Sequence, residues 1–181
     1  MKLLKILNDT DKVLRETSEE VTFPISDEDK ILIEEIKEYL RNSQLEGMSE
    51  KYNIRPGMGL TFVQLGIKKR IAIIVIEQEP NKFEDYVLIN PRIISSSTEM
   101  IYAEEGEGCL SVATDVPGFV TRHARITVEY QDLEGNVQRL RAREEVAMAI
   151  QHEIDHLNGI LYYDHINKKN PFLQEPGARG I

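Results

Sequence analysis

The segment Gln151-His152-Glu153-Ile154-Asp155-His156-Leu157 holds the densest chemistry in the chain. Histidines at i and i+4 project from one face of a helix, one turn apart. Their imidazoles can converge on one metal ion, with Glu153 beside a water that the ion would polarise. The competing reading is a core helix whose histidines bond to backbone, since buried polar groups need partners. Two histidines also leave an ion short of ligands. The single cysteine, Cys109, follows a glycine in Glu107-Gly108-Cys109-Leu110-Ser111, and a thiolate suits zinc or ferrous iron. Spacing alone favours the plainer fate of a lone cysteine, a small buried hydrophobe. A third feature is Gly57-Met58-Gly59-Leu60-Thr61-Phe62-Val63-Gln64. Its two glycines suit a loop where backbone meets a ligand, or an ordinary turn into the next strand. No Gly-Lys-Ser/Thr follows, so it is not a phosphate loop.

The elements that must position these residues are partly legible. Helical periodicity over Arg143 to Leu157, with Asn158-Gly159 as a left-handed cap, predicts the helix bearing the histidines. Ser26 caps an earlier helix with three acids in its first turn, and Leu32, Ile33, Ile36, Tyr39 and Leu40 carry it to about Arg41. Val21 to Ile25 reads as extended before and around Pro24, and Asp9 to Arg15 as a short turn or helix. Lys2 to Leu7 fits neither period. Asn42 to Pro56 reads as a loop with a short helix near Ser49. The apolar, β-branched run Arg70 to Glu77 predicts a buried strand, and Tyr86 to Ile89 a second one ended by Asn90-Pro91. Ile93-Ile94 and Glu99 to Tyr102 carry weaker strand patterns. Ile126 to Tyr130 and Val137 to Arg141 flank a glycine-containing turn and predict a hairpin. The expected class is α+β, with mixed or antiparallel sheets packed around a central metal-binding helix.

The 181 residues fit one domain, 1–181, with a tail at about 167–181 that is not helical. Hydrophobic residues make up 41% and charged residues 29%, enough for a core with a solvated surface. One cysteine excludes a disulfide scaffold. No apolar run approaches the ~20 residues of a membrane helix, and the first residues offer no signal-peptide core, so a cytoplasmic location without membrane partners is expected. Net charge is −9, from 22 basic and 31 acidic residues, which argues against nucleic acid as a specific ligand but leaves room for a local basic patch. Arg139, Arg141 and Arg143 alternate and predict one solvated strand face; a ribosome-facing patch is the second reading. His123 and His165 lack a partner motif and read as structural or solvated.

Taken together and in order, the glycine loop, the Glu-Gly-Cys-Leu-Ser segment and the His-Glu-x-x-His helix resemble the peptide deformylases. Asp11 to Arg15 and the run Gln151 to Asp164 extend the similarity, which covers roughly Leu3 to Ile166. The long segment before the glycine loop resembles the subclass of Gram-positive-type bacteria. The resemblance implies hydrolysis of the formyl group from the N-terminal formyl-methionine of newly made polypeptides, with release of formate. It implies Cys109, His152 and His156 as ligands of one divalent ion, physiologically Fe2+, with Zn2+, Ni2+ or Co2+ as alternatives, and attack by water held there. It implies Glu153 as the proton carrier, and Gln64 with the Leu110 N–H as donors to the formyl oxygen. Gly59 would offer backbone contacts to the peptide, and Met58 and Met148 would wall the methionine pocket or be plain core. The family usually has Ala-Ala-Pro or similar where Thr61-Phe62-Val63 stands here, so Phe62 either narrows the cleft or turns into the core. Two rival readings follow. A zincin-type metallopeptidase would take a third ligand downstream, from His165 or Glu175; a non-catalytic binding protein of the same fold would have lost activity at the altered loop.

Overall fold

A run of six buried residues, Ile71 to Ile76, sets the architecture. A strand apolar on both faces needs a layer on each side. In the computed structural model, which describes residues 1–181, it has them. The elements in order are α1 (Asp27–Gln44), α2 (Met48–Tyr52), β1 (Gly59–Thr61), β2 (Ile71–Glu79), β3 (Lys82–Ser96), β4 (Met100–Tyr102), β5 (Arg122–His123), β6 (Arg125–Gln131), β7 (Val137–Arg143), α3 (Glu144–Leu157) and β8 (Arg179–Gly180). Strands β1-β2-β3-β6-β7 form an antiparallel sheet, and β5-β4-β8 a small mixed one. The fold is α+β.

Alternate residues of β2 feed two cores. Ile71, Ile73 and Val75 pack with Ile33, Ile36 and Leu40 of α1. Ala72, Ile74 and Ile76 pack with Ala147, Ile150, Ile154 and Leu157 of α3. Because α3 is covered by the sheet, its histidines lie in a water-poor setting. The Ser26 hydroxyl accepts from the Asp29 N–H as expected of a cap, and α1 runs three residues past Arg41 to Gln44.

Two expectations are corrected. Asn90-Pro91 does not end a strand: β3 continues to Ser96 and takes in Ile93-Ile94. Asn90 is left-handed, with φ 51°, and the register shifts between Ile89 and Arg92. The bulge absorbs the proline, while the Asn90 amide bonds the backbone of Val21 and the side chain of Gln131. The second correction concerns the glycine loop. Gly59 to Thr61 form edge strand β1, paired in register with Ile74 to Ala72. Residues 167–181 form turns and the short strand β8.

Candidate active site

Three elements deliver the predicted residues to one cleft. Helix α3 carries His152, Glu153 and His156. The turn Phe62–Leu65 after β1 carries Gln64, and the loop after β4 carries Cys109. The cleft is a cavity of about 680 Å³ lined by Met58, Gly59, Gln64, Cys109, Leu110, Met148, His152 and Glu153, among others. Met58 is 37% exposed and Met148 is buried against Ile101 and Ala124, so both are walls of this cavity and Met148 is also core.

The Cys109 Sγ and one nitrogen of each histidine lie within 4.8 Å of one another. Sγ is 3.2 Å from His156 Nε2. His152 Nδ1 is 2.8 Å from Glu107 Oε2, which leaves Nε2 to face the cluster. A carboxylate behind a ligating imidazole is the usual way of fixing its tautomer. Arg122, buried, bridges Glu107 and Asp155, and Asp155 also holds His165 Nε2 at 2.8 Å. Burial acts to raise the Glu107 pKa, but His152 and Arg122 outweigh it and push it down to about 2. The same setting acts on the histidines. Burial and the neighbouring His152 hold His156 well below the usual imidazole range, in the neutral form a ligand needs. At His152 burial is outweighed by Cys109 and Glu107, and the pKa is held well above that range. A soft thiolate with two imidazoles fits a divalent transition metal.

Glu153 is 4% exposed, and its Oε2 has no hydrogen-bond partner. Burial pushes its pKa up to about 7, the range suited to exchanging protons at neutral pH. Gly59 makes room for it: a Cβ there would fall 2.6 Å from Glu153 Cδ. Gln64 is held at both ends of its amide. Its Oε1 accepts from the Thr61 N–H at 2.9 Å and the Thr61 hydroxyl at 3.0 Å. Its Nε2 donates to Ser111 Oγ at 3.0 Å and points to Cys109 Sγ at 3.7 Å. No protein group accepts from the Leu110 N–H. The altered loop is thus accommodated: Thr61, Phe62 and Val63 are fully buried, and Phe62 turns into the α1-side core.

The chain matches the polypeptide deformylase family model over residues 3–172. The chain belongs to the peptide deformylase family. Among its relatives, the peptide deformylase of Lacticaseibacillus casei is 51% identical over 98% of each chain. Peptide deformylase 2 of Bacillus anthracis is 44% identical over 97% of this chain and 96% of its own. The crystal structure of the Thermotoga maritima peptide deformylase superposes with a TM-score of 0.73 at 30% identity, over 92% of this chain and 99% of the other. The family are hydrolases that remove the N-terminal formyl group. No helix of this chain is long and apolar enough to cross a membrane.

The sequence motifs hid several members of the site. His165 is not part of the metal cluster, and neither is Glu175, so neither supplies the downstream ligand a zincin needs. His165 instead ends the chain His152–Glu107–Arg122–Asp155. His123 Nδ1 meets the Ser97 carbonyl and is structural. Arg55 pins the cysteine loop through Val112 O and Asp115. The charged network runs from Glu107 to His165, 58 positions apart, and no local motif records it.

Proposed function

We propose that the chain, acting as one catalytic domain, is a metal-dependent hydrolase that frees N-formylmethionyl nascent polypeptides of formate in the cytoplasm. The observation that carries the reading is the convergence of Cys109, His152 and His156 beside a buried, unpartnered Glu153. These three residues would hold one divalent ion, Fe2+ in the cell, with Zn2+, Ni2+ or Co2+ able to replace it. When bound, such an ion supplies Lewis acidity and lowers the pKa of a water.

The chain's own groups do the rest. β1 is an edge strand, and its free side borders the cavity at Gly59. An extended peptide can add there as a further strand, held by backbone hydrogen bonds. Met58 and Met148 line the space for the methionine side chain. Gln64 Nε2 and the Leu110 N–H are donors for the formyl oxygen as it gains negative charge, and Thr61 and Ser111 preset the amide so that no reorientation is needed during reaction. Glu153 takes the proton of the attacking water and passes it to the leaving amine nitrogen. A transient ribosome contact would put this cleft near emerging N-termini. The test is turnover of a formyl-Met peptide together with metal analysis. Cys109→Ala should lose both metal and turnover, and Glu175→Gln neither. Full metal occupancy in Cys109→Ala would refute the ligand set.

A further inference from the structure

Helix α1 packs on β1, β2 and β3 and stops there. On the same side of the sheet, the outward faces of β6 and β7 have no covering element at the end formed by Arg125, Thr127, Arg141 and Arg143. The register places Arg125 directly opposite Arg143 and Thr127 opposite Arg141, with Ser95 beside Thr127 on β3. Like charges facing each other across strands destabilise a sheet, and of the facing pair Arg125 and Arg143 only Arg125 has a carboxylate to offset it. Arg125 has Glu99, which Arg179 shares. Arg92 and Arg139 share Glu129. Arg141 and Arg143 form no ion pair and no side-chain hydrogen bond, and both are exposed. The three arginines 125, 141 and 143 and the hydroxyl run Ser95 to Thr98 border one shallow concavity of about 560 Å³. With Glu99 and Glu129 paired to their arginines, Arg141 and Arg143 stand as two unpaired cations on a chain of net charge −9.

We propose that this β6–β7 face, Arg125, Arg141 and Arg143 with Ser95 to Thr98, docks the phosphate backbone of RNA without reading its sequence. Arginine forks and hydroxyls match phosphate oxygens, and such contacts carry no sequence information. The negative remainder of the surface repels a polyanion, so approach is oriented to this face. Binding is weak and salt-sensitive, with Kd in the ~10⁻⁴–10⁻⁶ M range of sequence-independent contacts. The inference stands on charge and register and needs nothing from the hydrolytic site.

The experiment is fluorescence anisotropy of a short labelled RNA duplex titrated with the full chain across a range of KCl. The wild type should bind with a negative slope of log affinity against log salt. Arg141→Gln with Arg143→Gln should reduce that slope by about 2, one for each lost phosphate contact, and Arg141→Glu with Arg143→Glu should abolish binding. Lys2→Gln with Lys82→Gln, a control that removes the same two charges away from this face, should change nothing. Turnover of a formyl-Met peptide, measured on every variant, reports intact folding separately from RNA binding. Equal affinity and slope in the wild type and the Arg141→Gln, Arg143→Gln variant would overturn the proposal. So would displacement of the duplex by inorganic phosphate beyond the effect of matched chloride, which would make the concavity a small-anion site.

Discussion

Gly59→Ala is the sharpest test of how the cleft is built, because the substitution adds one carbon and no polarity. A Cβ at position 59 would lie 2.6 Å from Glu153 Cδ and 2.8 Å from Cγ, and inside contact of Oε1. Ordinary carbon contacts begin near 3.4 Å. One side must give way. β1 is pinned by its ladder with β2, by the Val75 N–H donating to Met58 O, and by the Gly57 N–H donating to Ser43 Oγ. The Glu153 side chain is the softer partner, since its Oε2 holds no hydrogen bond. Its carboxylate must therefore retreat by about 1 Å, a displacement that costs on the order of 10²-fold in rate. We expect kcat on a formyl-Met peptide to fall about that far, with metal content unchanged and the melting temperature lowered only slightly. The double variant Gly59→Ala, Glu153→Gln should be no slower than Glu153→Gln alone, because the alanine acts through a carboxylate already removed. A Gly59→Ala enzyme within about threefold of wild type, or a double variant that shows the full product of both losses, would refute the reasoning.

Further outcomes follow from the same geometry. Glu153→Gln should keep the metal and lose about 10²–10⁴-fold in kcat, checked by steady-state kinetics and elemental analysis. Gln64→Ala should cost about 10²–10³-fold in kcat with metal retained; Thr61→Ala should cost a smaller part of that through a loosened amide, and Thr61→Ser should restore it. Phe62→Ala should destabilise the fold by about 3–5 kcal/mol in denaturant melts, as for other buried aromatics, with little change in KM. After chelation, Glu153 has a folded pKa of about 7 against 4.5 unfolded. The folded chain then binds the extra proton, so stability falls as pH rises through that window. Unfolding melts of chelated wild type and chelated Glu153→Gln should differ by this slope; identical pH profiles would contradict it.

What the sequence disclosed depended on how local each signal was. The α3 histidines and Glu153 sit within one helical turn, and the Ser26 cap and the buried run of β2 are equally local, so each was readable from its own neighbourhood. The end of β3 was misread because Asn90-Pro91 is normally a stop. Here the stop is overridden by tertiary bonds from Asn90 to Val21 and Gln131, residues 69 and 41 positions away. β1 was read as a loop because its three residues have no strand pattern of their own and acquire one only against β2.

The altered loop shows the same division at the level of chemistry. From sequence, Phe62 either narrows the cleft or turns into the core, because a bulky residue stands where the family is often small. Its direction is decided by β1: residues alternate across a strand, and the turn that follows sends Phe62 to the α1 side while Gln64 returns toward Cys109. The neighbouring change carries more consequence than the bulky one. Thr61 places a second donor on Gln64 Oε1 that an alanine could not supply. With Oε1 occupied twice, the amide has one orientation left, and Nε2 must face the sulfur and the cavity. A substitution that looked like a departure from the family pattern therefore works to hold the proposed oxyanion donor in place, and the restoring power of Thr61→Ser measures how much of that hold is the hydroxyl's.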